Sequence, residues 1–326
     1  MSTPPDRIAA AVAVAQEALT GGRYAVSRLI SLVEDVRPSA VLPRDAAIAA
    51  LEDAARERGH RSSILGVTGT PGSGKSTLLA ALAGLLTTND PALRLAIVAV
   101  DPSSPTSKGA LLGDRTRMNV VGAPERVFFR SQASATALGG LAPSTFQVCR
   151  ALALLFDVVL VETVGVGQSE ADIRHLADRV YLVIAPLGGD ELQYLKAGII
   201  EVPDVFIINK CDEPASRSTY HQLRASLWLA RPEAGDGLPI FRTSARTGAG
   251  VPQLAEAFIT DARSHSSSVA TKAPHFFDAW VIEEWGRAGK RQLQREGGAE
   301  RFLAAHEGFG RAQLAFDAAI RRSLQG

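Results

Sequence analysis

The nine residues GTPGSGKST, 69–77, combine glycines, hydroxyls and one lysine at the spacing G-x-x-x-x-G-K-[ST], carried by Gly69, Gly74, Lys75 and Ser76. Glycine backbones let successive N–H groups turn inward around phosphate oxygens. A helix that begins there adds the partial positive charge of its N-terminus. The expected phosphate cradle is therefore Gly72, Ser73, Gly74, Lys75, Ser76 and Thr77. Lys75 would reach the β- and γ-phosphates, and the Ser76 hydroxyl would ligate Mg²⁺. An apolar run precedes the loop and the helical STLLAALAGLL follows it, which is the setting this motif requires.

NKCD, 209–212, carries a second chemistry. The Asp212 carboxylate accepts from both the N1–H and the exocyclic amine of guanine, a donor pair that adenine lacks. Asn209 would bond the base edge and the Lys210 stem would lie across the ring. TSARTG, 243–248, follows the next apolar run, and there Ser244 and the Ala245 backbone N–H would complete the base site, the latter on guanine O6. Together with the phosphate loop, these residues favour GTP and GDP over adenine nucleotides.

VVLVETVGVGQSE, 158–170, ends a third apolar run on an acid, Glu162, at the position where an acid orders Mg²⁺ directly or through water. Gly165 lies three residues on, so the usual D-x-x-G is here E-x-x-G. Ras-like enzymes place a water-orienting glutamine directly after that glycine; this chain has Val166, with Gln168 two residues further. Slow intrinsic hydrolysis is expected, with help from a rearranged loop or a partner.

These loops need a scaffold that gathers strand ends. Strands are expected at 64–69, 95–100, 126–130, 158–162, 179–185, 205–209 and 239–243. Most are continuously apolar and rich in Val and Ile, as strands buried on both faces are. Alternation with helical segments makes the fold class α/β, a P-loop NTPase with a mainly parallel central sheet. The expected division is an N-terminal helical extension (1–60), a P-loop GTPase domain (61–262) and a linker with a C-terminal helical arm (263–326). In the extension, Val26, Leu29, Ile30 and Val33 share one helix face. In the arm, Phe276, Phe277, Trp280 and Trp285 want a partner surface, either the chain's own sheet or a second copy of the chain.

Composition removes other classes. Thirty-five Lys and Arg stand against 34 Asp and Glu, a formal charge of +1, so bulk charge points to no polyanion. With 6% aromatics there is little for base stacking, and no nucleic-acid partner is expected. The two cysteines, Cys149 and Cys211, form neither a CxxC nor a Cys/His cluster, which fits a reducing cytoplasm. No apolar run approaches the roughly 20 residues a membrane helix needs. The first residues read as a helix rather than a signal peptide, and a cytoplasmic protein without membrane attachment is expected.

In order, GTPGSGKST, VDPSS, GDRTRM, ETVGVGQSE, GDELQYLKAGI and NKCD resemble the MeaB/ArgK group of P-loop GTPases, over roughly residues 20 to 260. That resemblance implies a homodimeric GTPase chaperone. It would couple GTP binding and hydrolysis to cofactor loading, protection or reactivation of an adenosylcobalamin-dependent acyl-CoA mutase, methylmalonyl-CoA mutase or a close relative. It also gives roles to a loop that otherwise reads as linker. Asp101, ending a strand beside the P-loop strand, and Asp114, matching the family's switch I acid, would approach Mg²⁺. Arg117 would neutralise charge developing on the γ-phosphate. Asp190, Gln193 and Lys196 match a third switch that signals nucleotide state to the mutase. The chain departs from the family at Lys108-Gly109, at Ala135 in place of a common arginine, and at PLGGD. Two other readings stay open: a nickel-delivery GTPase, which would usually carry clustered histidines where this chain scatters six, and a P-loop kinase.

Overall fold

The apolar runs become the strands of one sheet. They are β1 (Ser63–Gly69), β2 (Leu95–Asp101), β3 (Val127–Ala133), β4 (Val158–Thr163), β5 (Arg179–Ile184), β6 (Val205–Ile208) and β7 (Ile240–Arg242). The structure is a computed structural model and describes residues 5–101, 126–133, 141–163, 168–186, 201–264, 269–306 and 308–325. The sheet has seven strands in the order β3-β2-β4-β1-β5-β6-β7, each neighbouring pair parallel. All residues of β1 and β4 are buried, which is why their apolar residues run on instead of alternating.

Among the described residues the longer helices are α1 (Pro5–Leu19), α2 (Arg23–Val33), α3 (Val41–Glu57), α4 (Lys75–Asn89), α5 (Pro143–Ala153), α6 (Gln168–Leu176), α7 (Ser216–Ala230), α8 (Val251–Ser264), α9 (Ala273–Arg295), α10 (Gly298–Ala304) and α11 (Phe309–Gln325). The chain forms two compact units. The sheet unit is Ser62–Leu141 with Phe156–Ser266, and the helical unit is Met1–Arg61, Ala142–Leu155 and Ser267–Gly326.

In the sheet unit, α4 is apolar on nearly all sides because it is buried on nearly all sides. Its Leu78, Leu79, Leu82 and Leu86 join Leu65, Val67 and Leu160 of the sheet, with Leu254 and Phe258 of α8, in one core. Phe258 stacks on Tyr181 of β5 with ring centroids 4.0 Å apart. Leu223 and Leu227 of α7 build a second core on Phe206 and Ile208.

The helical unit is organised around aromatic rings. Phe146 of α5 stacks on Phe276 of α9 at 4.7 Å and lies 5.6 Å from Phe309 of α11. Phe277 meets Phe302, Phe309 and Phe316. A fully buried side chain of this size is worth roughly 1.5–3 kcal/mol, so the cluster is a main source of this unit's stability. Polar ties reinforce it. Asp45 of α3 accepts from the Gly310 and Arg311 N–H groups at the start of α11, and Arg150 of α5 pairs with Glu52 of α3 at 2.7 Å. The stripe expected on α2 is buried here: Val26, Leu29, Ile30 and Val33.

This arrangement differs from the three-part division drawn from the sequence. Residues 1–60 and nearly all of 263–326 share one unit, and 142–155, read as part of the nucleotide domain, joins them. The reason is Phe146, whose ring partners lie at the C-terminal end of the chain. Phe276 and Phe277 accordingly find their surface on the unit's own helices, not on the sheet. No helix among the described residues is long and apolar enough to cross a membrane.

Candidate nucleotide site

In a parallel sheet, ligands collect at the carboxyl ends of the strands. The carboxyl ends of β1, β4 and β6 carry the residues singled out above. The loop after β1 is shaped by three glycines at positive φ: Gly69 (+146°), Gly72 (+75°) and Gly74 (+83°). Two are also forced by space. A Cβ on Gly69 would stand 1.9 Å from the Val183 carbonyl oxygen, and one on Gly74 would stand 2.6 Å from Asn209 Nδ2. Gly72 faces open space.

Lys75 opens α4 and is buried. Its ammonium donates to the carbonyl oxygens of Gly69 (2.8 Å) and Thr70 (3.0 Å), so the side chain spans the mouth of the loop. The Ser76 hydroxyl donates to Glu162 Oε1 at 2.7 Å, with Glu162 itself 2% exposed. β1 and β4 are paired with Val67 opposite Glu162, which sets this acid beside the loop. Thr77, in the first turn of α4, is exposed. Asp101 is the last residue of β2, which lies beside β4 and not, as the sequence suggested, beside β1, because β4 inserts between them; it stands two positions beyond Ala99, the register partner of Glu162.

The chemistry of this donor set fits a nucleotide phosphate with Mg²⁺. Hydroxyl and carboxylate oxygens are the ligands that ion prefers, and Ser76 and Glu162 supply one of each. The hydroxyls of Thr70 and Ser73, both in the loop, are buried and have no hydrogen-bond partner among the described residues. Such groups are costly unless something polar meets them.

The base-side loops are locked to the phosphate loop through Asn209, which is 1% exposed. Its amide donates to the Ser73 carbonyl at 2.9 Å, and its Oδ1 accepts from the Ala245 N–H (3.2 Å) and the Thr243 hydroxyl (3.3 Å). The sequence placed Asn209 at the base edge and the Ala245 N–H on guanine O6. The structure turns the asparagine inward, where it clamps three loops together. Lys210 has φ +55°, the sole non-glycine residue at positive φ among those described. Cys211 N–H bonds the Thr243 carbonyl at 2.8 Å, and this strained turn presents Asp212 outward.

Asp212 has a companion that motif reading missed. The Ser244 hydroxyl and then the Arg246 guanidinium hold its carboxyl below the usual range. Arg246, itself 80% exposed, lies on Asp212 Oδ2. A basic residue directly after Ser244-Ala245 was the available signal. Asp114, Arg117, Lys108, Ala135, Gly165, Val166, Asp190, Gln193 and Lys196 lie outside the described residues. Gln168 begins α6.

Comparison with known proteins fits this geometry. The family model for the methylmalonyl Co-A mutase-associated GTPase MeaB matches residues 26–274. The chain belongs to the MeaB family. Within it, a putative GTPase of Pyrococcus horikoshii is 41% identical over 72% of this chain and 73% of its own length. GTPase ArgK of Escherichia coli is 37% identical over 73% of this chain and 72% of its own. The methylmalonic aciduria type A homolog of mouse mitochondria is 38% identical over 58% of this chain and 46% of its own. The crystal structure of an LAO/AO transport system kinase superposes over 100% of both chains with a TM-score of 0.61 at 23% identity, a likeness of fold. The MeaB-family chain is thus a P-loop protein of a GTPase family.

Proposed function

We propose that the chain binds GTP and GDP with Mg²⁺, hydrolyses GTP, and couples that cycle to an adenosylcobalamin-dependent acyl-CoA mutase. It would load, protect or reactivate the mutase's cofactor site and act as a homodimer. The observation that carries the nucleotide part is the Asn209 clamp, which fixes the phosphate loop and both base-side loops in one site. The mutase rests on the family description and on the name of the mouse relative.

In hydrolysis, water oxygen bonds to the γ-phosphorus, the bond to the β–γ bridging oxygen breaks, that electron pair leaves with GDP, and the water's protons go to the released phosphate and to solvent. Lys75 would exchange its carbonyl partners for β- and γ-phosphate oxygens and hold the leaving charge. Ser76 and Glu162, with Asp101 and Asp114, would hold Mg²⁺, which screens the phosphate charge when bound. Arg117 would meet charge on the γ-phosphate. Asp212 would accept the two guanine N–H groups, and Lys210 would cover the ring.

The test is phosphate release from GTP, ATP and XTP, alone and with an adenosylcobalamin-dependent acyl-CoA mutase of the same organism added. GTP should be used at least about a hundredfold better than ATP, and the mutase should raise the rate. Asp212→Asn should move preference toward XTP. Equal use of ATP would overturn the base assignment, and a rate indifferent to the mutase would overturn the coupling.

A further inference from the structure

The helical unit contains a cavity of about 330 Å³ whose lining is unlike an unfilled core. Arg44 of α3 and Ser144 and Gln147 of α5 contribute to it, as do Trp280, Glu283 and Trp285 of α9. Two of these polar side chains are deeply buried, Arg44 at 6% and Gln147 at 4% exposure. An arginine keeps its charge even where burial opposes it, so Arg44 is a buried cation with five N–H donors. Among the described residues it has one hydrogen-bond partner, the neutral Gln313 Oε1 at 2.7 Å. Asp45 and Asp35 attract it through space only, and Arg150 opposes them. The amide nitrogen of Gln147 has no acceptor among the described residues. The first turn of α5, with Pro143 and Ser144 on the cavity, adds the partial positive charge of a helix start.

The opposite charge comes from other elements. Glu283 and Glu284 of α9 line the same cavity, and burial, then the charge of Glu284, raises the Glu283 pKa. Trp285 is held by its indole N–H on Asp317 at 2.9 Å and by the Arg321 guanidinium 5.3 Å from its ring centre. Trp280 packs against Phe277 and Phe316, so the two half-buried indoles are fixed walls between donors and acids. Buried donors without acceptors cost free energy. A plain anion would satisfy Arg44 and Gln147 but face two glutamates. A plain cation would do the reverse, and an apolar ligand would satisfy neither.

We infer that this cavity binds a small zwitterion of the amino-acid class. Its carboxylate sits on Arg44 and Gln147, its ammonium on Glu283 and Glu284, and its uncharged side chain against Trp280 and Trp285. The volume lies at the small end of ligand pockets, roughly 300–1,000 Å³, which suits such a molecule and excludes a nucleotide.

Tryptophan fluorescence of the full chain tests this. The chain has three tryptophans, and Trp228 belongs to the sheet unit. In a Trp228→Phe background, emission therefore reports the cavity. Each uncharged amino acid is titrated to roughly 10 mM, where even a weak small-ligand site fills. At least one should give a saturable change. Its deaminated acid, its decarboxylated amine, Arg44→Gln and Glu283→Gln should each weaken binding at least about tenfold. Glu283 lines the cavity but stays open to solvent, so its variant should fold and decides the matter if Arg44→Gln does not. No saturable response from any amino acid overturns the inference. So does an acid or amine analogue that binds as well as the zwitterion, or a folded Glu283→Gln that binds as wild type does.

Discussion

In the sheet unit, buried polar side chains gather where the strands end: Ser73, Lys75, Glu162, Asn209, Thr243 and Ser244. In the helical unit the interior around α9 is a set of stacked rings, Phe146, Phe276, Phe277 and Phe316, and the deeply buried Arg44 and Gln147 lie apart from them at the cavity. The first arrangement places hydrogen-bonding groups so that a ligand can use them, and the fold gains little from each. The rings do the opposite: they offer a ligand nothing, and the fold gains much from each. The same size of side-chain deletion should therefore register as lost activity in one unit and as lost stability in the other.

The largest effect expected is on the rings. Phe277→Ala should destabilise the chain by about 3–5 kcal/mol in denaturant titration, while GDP affinity of the folded protein stays within about twofold of wild type. A loss under about 1 kcal/mol would break the contrast from the helical side. Lys75→Ala should break it from the other: GTP turnover falls by about 10²–10³, and the melting temperature barely moves. Retained turnover would refute the phosphate-loop assignment.

Asn209→Ala tests the one residue that does both jobs. It leaves the Ser73 carbonyl and the Ala245 N–H without their partner, at about 1–3 kcal/mol of stability, and should weaken GDP binding about tenfold. Weaker binding with unchanged stability would mean that Asn209 acts on the base and not as a clamp.

The smallest effect concerns pH. Asp212 has its pKa depressed, so its charge and whatever depends on it persist below the usual carboxylate range and are lost as pH falls through the folded value. Arg246→Ala removes one of the groups responsible. The acid limb of GDP binding should then move to higher pH, though not fully, because the Ser244 hydroxyl remains. Titration of GDP affinity from neutral pH downward measures it, and an unmoved limb would show that the exposed Arg246 contact does not persist in water.

Much of the sheet unit was legible in the sequence because its signals are local. A strand buried on both faces is a continuous apolar run, and phosphate binding by backbone N–H groups needs glycines at fixed spacing. Asn209 was named for the base site, but its bonds to the neighbouring loops were not foreseen, for the converse reason. Its partners, Ser73 and Ala245, are far off in the chain, and no spacing reveals which way an amide turns. The helical unit was legible as helices but not as a unit. Phe146 sits between two nucleotide-domain strands in sequence, and nothing nearby announces that its ring partners come more than a hundred residues later.

That separation has a consequence for biosynthesis. A chain emerges from its N-terminus at roughly 5–20 residues per second, and the sheet unit is complete once Ser266 has emerged. The helical unit must wait for α9 and α11. Until then α1, α2, α3 and α5 have no Phe276, Phe277 or Phe316 to close on, and Phe146 is a bare apolar surface on a nascent protein. A ribosome that stalls or a message that ends before α9 leaves the nucleotide loops whole on a chain that sticks. For this molecule 267–326 is the stretch whose arrival covers the Phe146 ring.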